Sequence, residues 1–464
     1  YWLCNGMSDI IDQIEAGQLY ERSAHVYDIQ WKVKKEPFQL LSKWNFIATH
    51  RSFEHPNYVL NYNVSLLAVE YDRALFVEVP HNYDIFDCRK SPFIHIGQFA
   101  ESVRIITMPL SSFIRCADEL GDPKSKVIWL HSTGRCGSTA MSQVFEAIPN
   151  CTTVSEPMCI FTYRNDAAAK NNTKKFRLLL KSDLYKNIIR ATTRMMAKPN
   201  EHNPDILFIK NFTLSGVHEV PELERLFPEQ IHLFLYRDCL NTVQSYLKSL
   251  NSHFWMALVM KLRANACLRY TIRSPKLLFK ALSSPDVIDM NQWLLDQGNM
   301  QNMTAFGLLV IQWAGYCHHY SHLVTTTDTK VRAIRYEDIV EHKDETLTLL
   351  LRFCGISDEN VERAKKSLES DSQAGTCLSM STLGKFKKTH ITDELQSEAN
   401  FYLKGFKLSA LGQPTYLPKV LSPSIPAAAG PETGDGIHIS SGSSQRSVST
   451  LSNGNSHISI QIAT

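Results

Sequence analysis

From Val127 onward, short and almost wholly apolar runs alternate with longer amphipathic ones, and this alternation constrains the fold more than any other feature of the chain. The apolar runs are Val127-Ile-Trp-Leu-His131, Ile206-Leu-Phe-Ile-Lys210, Ile231-His-Leu-Phe-Leu-Tyr236 and Val331-Arg-Ala-Ile-Arg-Tyr336. A strand that is apolar on both faces has no side to offer water, so it belongs in a parallel sheet covered on both faces by crossover helices. Helical spacing places those helices near Ser138 to Ile148, Lys175 to Met196, Val220 to Leu226, Leu240 to Ser249 and Gln301 to Thr325. The expected fold is α/β, a three-layer parallel sheet whose ligands gather at the carboxyl ends of the strands.

Two flanking regions differ. Tyr58 to Tyr62, Ser65 to Val69 and Ala74 to Val79 are short β-rich runs broken by polar turns, which predicts a small antiparallel sheet before the parallel one. Leu421 to Thr464 holds 11 Ser, 5 Gly and no aromatic residue, too little apolar surface to offset the entropy of ordering. The predicted organisation is an N-terminal β-rich unit over residues 1–121, a main domain over 122–414 and a disordered Ser/Gly-rich tail over 415–464.

A net charge of +3 over 464 residues is too small for a nucleic-acid binder, so any anion site must be a local cluster. The longest apolar run, Phe306 to Ala314, is interrupted by Gln312 and falls short of the ~20 residues of a membrane span. Eleven cysteines form neither a CxxC pair nor a Cys/His cluster, so no metal site is expected. Several lie among apolar neighbours as small core residues, which leans toward a reducing compartment without fixing the location. His318 and His319 are adjacent on a helix and so diverge, with no carboxylate at ligand spacing. The stripe Phe306, Leu309, Trp313 and Tyr316 reads as core, and His131 as a packed strand residue.

The sequence signal for chemistry begins where the first apolar run ends. His131-Ser-Thr-Gly-Arg-Cys-Gly-Ser-Thr-Ala140 is a glycine-punctuated turn opening into a helix, which aims backbone N–H groups and a helix dipole at one point: a P-loop-like phosphate cradle. Gly134, Arg135, Cys136, Gly137, Ser138 and Thr139 are its candidate anion-binding residues. It lacks the Gly-Lys-Ser/Thr ending that brings magnesium to a nucleoside triphosphate. A second anion pocket is expected at Arg237, which ends the third run, with Ser245 eight positions along the following helix.

These two stretches together resemble the cofactor motifs of the sulfotransferases that use 3′-phosphoadenosine 5′-phosphosulfate (PAPS). The resemblance implies that the first loop holds the 5′-phosphosulfate and that Arg237 with Ser245 holds the 3′-phosphate. Val220-Pro-Glu-Leu-Glu-Arg-Leu-Phe-Pro and Arg335-Tyr-Glu-Asp-Ile-Val340 are similar to framework segments of the same family, and the resemblance covers about Val127 to Leu403. Thr382-Leu-Gly-Lys-Phe-Lys-Lys-Thr-His390 resembles the C-terminal loop of the Golgi heparan-type members, which implies phosphate contacts from Lys385, Lys387 and Lys388.

Sulfuryl transfer, by analogy with phosphoryl transfer, is mostly positioning plus stabilisation of charge on the leaving oxygen, so cations must stand at the bridging atom. By resemblance Arg135 takes the leaving phosphate and Lys210 contacts the transferred group. Cytosolic members carry a histidine two residues after that lysine, but Phe212 stands there in this chain, so the base must come from elsewhere. Glu156, in Val154-Ser-Glu-Pro, resembles the catalytic glutamate of the heparan and tyrosylprotein branches, and burial beside an acceptor would suit it to take a proton. The expected activity is transfer from PAPS to a hydroxyl or amine of a small-molecule or glycan acceptor, without a metal. A nucleotide-dependent phosphotransferase and a catalytically silent nucleotide-binding relative stay open as alternatives.

Overall fold

The computed structural model describes residues 13–14, 18–34, 39–88, 90–199, 203–212, 216–251, 304–373 and 379–423. Tyr1–Ile425 forms one compact unit built around two five-stranded sheets. The first contains β1 (Ala24–Lys32), β2 (Phe46–Glu54), β3 (Val64–Val69), β4 (Arg73–Glu78) and β5 (Arg104–Pro109). It is antiparallel throughout, in the order β2-β1-β5-β4-β3. The expected runs at Ser65 and Ala74 are β3 and β4. The run at Tyr58 is instead the 3-10 helix Pro56–Leu60, because Pro56 presets a helical φ and the His55 ring accepts from the Asn57 N–H ahead of it.

The second sheet contains β6 (Lys126–Ser132), β7 (Cys151–Ser155), β8 (Ile206–Lys210), β9 (Ile231–Tyr236) and β10 (Arg332–Arg335). All its pairings are parallel, in the order β10-β9-β6-β8-β7. Alternate side chains of its strands enter different cores, as a period of two demands. Val127, Trp129, Leu207 and Ile209 pack with helix Asp183–Met196. Ile128, Leu130, Phe208, Leu233 and Leu235 pack on the other face with helices Ser138–Glu146 and Lys343–Phe353. The result is the expected three layers, with helix Ala305–Thr326 packed against Phe234, Tyr236 and Ala333 at one end.

Some local expectations are corrected. Lys175 to Met196 is two helices, Thr173–Leu180 and Asp183–Met196, because the Ser182 side chain caps a new helix by accepting from the Tyr185 N–H. Tyr336 opens helix Tyr336–Glu341 rather than closing β10. β7 and helix Cys159–Lys170 were not foreseen. The chain also stays packed beyond residue 414: Tyr236 Oη donates to the Thr415 carbonyl at 2.9 Å, and Ala333 bridges to Val420 in parallel. Most of the expected tail, 424–464, lies outside the described residues, as do positions 301–303 of the expected Gln301 helix.

The antiparallel sheet is not a detached bead. Val64, Phe76 and Phe113 share one apolar cluster with Trp129, Val154 and Ile188 of the parallel-sheet region. The buried Lys198 ammonium, at the end of helix Asp183–Met196, donates to the carbonyls of Val59 at 2.7 Å and Asn61 at 2.6 Å. Among the described residues no helix is long and apolar enough to cross a membrane.

Strand order decides where a site can form. From β6 the chain passes first to the outer strand β7 and returns to β8 beside β6, and it then builds outward through β9 and β10 on the other side. The switch between the two directions falls at β6, the position where open α/β sheets bind ligands. Because the strands are parallel, Ser132, Ser155, Lys210 and Tyr236 all end at that same edge.

Candidate active site

The loop after β6 turns through three left-handed residues, Gly134 (φ 71), Arg135 (φ 50) and Gly137 (φ 85), before helix Ser138–Glu146 begins. At Gly137 the conformation and the space both require glycine, since a Cβ would lie 2.3 Å from Cε2 of Tyr336. Arg135 has no such exemption from strain, and a non-glycine residue in this region persists only where the surroundings enforce it. The Ser138 and Thr139 hydroxyls are buried at the helix start. Cys136 departs from the rest: its side chain is fully buried and donates to the Leu235 carbonyl at 3.4 Å, and burial pushes its thiol up, so only its backbone is available to the cradle.

The Arg135 guanidinium is turned toward Ser245 on the helix after β9. Its Nε donates to Ser245 Oγ at 3.0 Å and its Nη1 to Gln373 Oε1 at 3.4 Å. Among the described residues no carboxylate lies within ion-pair distance of it, and burial pulls its pKa below the usual guanidinium value. A desolvated cation whose hydrogen bonds, among the described residues, go to neutral oxygens is suited to an anion. Arg237, after β9, stands over the Tyr336 ring at 4.9 Å and 3.8 Å from Glu337 Oε1. The Glu337 carboxyl is itself pushed up, by burial first and by Asp238 second. Arg335 fixes the corner by pairing with Asp238 at 2.7 Å and Asp338 at 3.0 Å.

The ends of β7 and β8 bring Glu156 and Lys210 together. Lys210 is fully buried, with Nζ 2.8 Å from Glu156 Oε1 and donating to Thr139 Oγ1 at 3.0 Å. The Glu156 N–H donates to the Lys210 carbonyl at 2.8 Å, so the residues are joined through both backbone and side chain. Glu156 also has a left-handed backbone, φ 57, and precedes helix Cys159–Lys170 without belonging to it. Thr139 therefore ties the cradle to the lysine, and the lysine ties it to the carboxylate.

The lysine loop lies at the surface near the helix after β9. Lys385, Lys387 and Lys388 are exposed, and among the described residues their side chains form no hydrogen bond or ion pair with the cradle. The loop is nonetheless fastened beside Ser245: Gln244 Nε2 donates to the Thr389 carbonyl at 2.7 Å and its Oε1 accepts from the Thr389 N–H at 2.8 Å. His131 is packed, with Nδ1 2.8 Å from the Gly216 carbonyl and Nε2 3.2 Å from His232.

Three participants carried no sequence signal. Gln373 bridges Arg135 and Thr139, donating to the threonine hydroxyl at 3.1 Å. Tyr246 Oη donates to the Thr133 carbonyl at 3.1 Å and braces the start of the cradle loop. Phe93, from the antiparallel-sheet region, lies with its ring centroid 4.8 Å from Lys210 Nζ. Among the described residues no group of His, Cys, Asp and Glu is arranged to hold a metal ion.

With that geometry established, a family model described as the sulfotransferase family matches residues 128–360. Among solved structures, the chain is similar to the crystal structure of sulfotransferase STF9 from Mycobacterium avium, with 12% identity and a TM-score of 0.33. That alignment spans 71% of this chain and 86% of the other. No curated protein matches the sequence.

Proposed function

The chain belongs to the sulfotransferase family, and from that premise we propose that it transfers a sulfuryl group from PAPS to a hydroxyl or amine acceptor by in-line displacement. The observation that carries this reading is the contact between Arg135 Nε and Ser245 Oγ at 3.0 Å, which sets the two anion pockets side by side. One doubly phosphorylated adenosine can then span both.

The residues fit such a donor. The Gly134 to Thr139 backbone and the Ser138 and Thr139 hydroxyls would hold the 5′-phosphosulfate. Arg237 and Ser245 would hold the 3′-phosphate, with Lys385, Lys387 and Lys388 adding charge from the neighbouring loop. When bound, PAPS supplies the activated sulfuryl group. Transfer forms a bond from the acceptor atom to sulfur and breaks the bond from sulfur to the bridging oxygen, leaving the electron pair on the phosphate.

Arg135 neutralises that charge on the leaving oxygen, and Lys210 stands at the transferred group. Glu156 takes the acceptor proton, its carboxylate aimed by the Lys210 ammonium and by its own constrained backbone. The acceptor, a small molecule or a glycan, is set by loops rather than by these cofactor residues.

The test is incubation with sulfur-labelled PAPS and a mixed acceptor extract. Wild type should label an acceptor, and Arg135→Ala and Glu156→Ala should each abolish labelling. Persistence of label in Glu156→Ala would remove the base assignment and keep the donor site. Magnesium-dependent turnover of ATP in preference to PAPS would replace the whole reading with phosphotransfer, and tight nucleotide binding without transfer to any acceptor would mark a silent relative.

A further inference from the structure

The lysine at the centre of the site is buried to an unusual degree, and its partners do not complete its surroundings. An ammonium has three N–H donors and is costly to remove from water. At Lys210 one direction is taken by Glu156 and another by Thr139. The remaining side is covered by the Phe93 ring, whose centroid is 4.8 Å from Nζ, within the range at which a ring face attracts a cation. Phe93 is 3% exposed and Lys210 is fully buried, so ring and ammonium meet inside the protein.

Phe93 lies outside residues 128–360, the part of the chain that the family model matches. It sits just before helix Ile94–Glu101, and the segment around it is fastened to the site from several sides. Ser155 Oγ donates to the Pro92 carbonyl at 2.6 Å, one residue before the base. The His95 ring lies with Nδ1 3.4 Å from the Glu156 carbonyl, and Tyr83 Oη is 2.8 Å from Ser91 Oγ. Helix and loop also approach so closely that a Cβ on Gly97 would stand 2.3 Å from Ser91 Oγ. This many constraints on one short segment hold the ring in a single place against the ammonium.

We infer that Phe93 is a positioning residue for the reaction: its ring face holds the Lys210 ammonium toward the transferred group, which makes the N-terminal antiparallel-sheet region a working part of the active site. The inference rests on the proposed sulfuryl transfer. Phe93 acts through electrostatics of the ring rather than through its volume, and this separates a positioning role from ordinary packing. Fluorination drains the negative face of a phenylalanine ring while changing its size little.

The test replaces Phe93 with mono-, di- and trifluorophenylalanine in the full chain, alongside Phe93→Leu. Along the series kcat should fall stepwise, to about one tenth of wild type at the third fluorine, with KM for PAPS unchanged. The 15N signal of Lys210 Nζ, identified by its loss in Lys210→Met, should move in the same steps. A flat kcat and a stationary Nζ signal across the series would overturn the inference and reduce Phe93 to packing, even if Phe93→Leu lowers activity by unfolding. Should wild type label no acceptor at all, the transfer reading fails separately, and the Nζ signal still decides whether the ring holds the ammonium.

Discussion

Arg135 Nε donates to Ser245 Oγ across 3.0 Å although 110 positions separate the two residues. The first belongs to the loop after β6 and the second to the helix after β9, neighbouring strands whose parallel pairing brings both segments to one edge. A ligand with two anionic ends that spanned these segments would meet both residues, and losses at either should appear in the same measurement. Binding of adenosine 3′,5′-bisphosphate, followed calorimetrically, should weaken about 100-fold in Arg135→Ala and about tenfold in Ser245→Ala, as expected for a charged and a neutral hydrogen bond. Because the two side chains touch, the double variant should lose less than the product of the two. Unchanged affinity in Arg135→Ala would remove the donor site from this edge of the sheet.

Glu156 and Lys210 make opposite predictions for activity and for stability. Glu156→Gln keeps the shape and removes the charge, so kcat should fall about 1000-fold while nucleotide affinity is retained. Lys210→Met leaves a buried carboxylate without its cation and should cost about 3–5 kcal/mol of stability. The pair Glu156→Gln with Lys210→Met removes both charges and should recover much of that loss in urea denaturation. If the double variant is no more stable than Lys210→Met alone, the ion pair is not what keeps the lysine buried.

How much of this was legible in the sequence follows from how each part is buried. β8 and β9 were readable to the residue because both of their faces are covered, which forces an unbroken apolar run. β7, Cys-Thr-Thr-Val-Ser, is an edge strand made largely of small polar residues and carries no such run. β1 and β2 were hidden for another reason: they leave Trp31 and Ile47 exposed and turn through register shifts, so neither alternation nor continuity survives. The glycine turn after β6 was visible because its demands are local, two glycines with left-handed backbones within four residues. Phe93, Tyr246 and Gln373 reach the site only through tertiary packing, and nothing in their own neighbourhoods marks them.

Two glycines with similar φ separate conformational strain from crowding. Gly121 (φ 82) has nothing within 4 Å of the place a methyl group would take, whereas a Cβ at Gly137 (φ 85) would strike the Tyr336 ring. Both substitutions to alanine should lose about 1–3 kcal/mol through the backbone alone. Only Gly137→Ala should also lose binding of adenosine 3′,5′-bisphosphate, because displacing Tyr336 disturbs the ring that stacks on Arg237. Equal binding by the two variants would show that the cradle tolerates a shift of that ring.

Acid should destabilise the fold through its buried imidazoles. Burial pulls His131 down to about 4, and His95 and His319 down to about 3, while His232 lies well below its ordinary value for the same reason. In the unfolded chain these rings bind protons near pH 6.5. Above that pH both states are neutral and stability does not depend on them. As pH falls from 6.5 toward 4 the unfolded state gains protons that the folded state refuses, so stability drops, by about 1.4 kcal/mol per pH unit for each ring. Urea midpoints measured from pH 8 to pH 5 should be level at first and then decline, and His319→Gln, which lies away from the cradle, should flatten that decline by about one proton. A slope in His319→Gln as steep as in wild type would mean that this ring already takes up its proton in the folded protein.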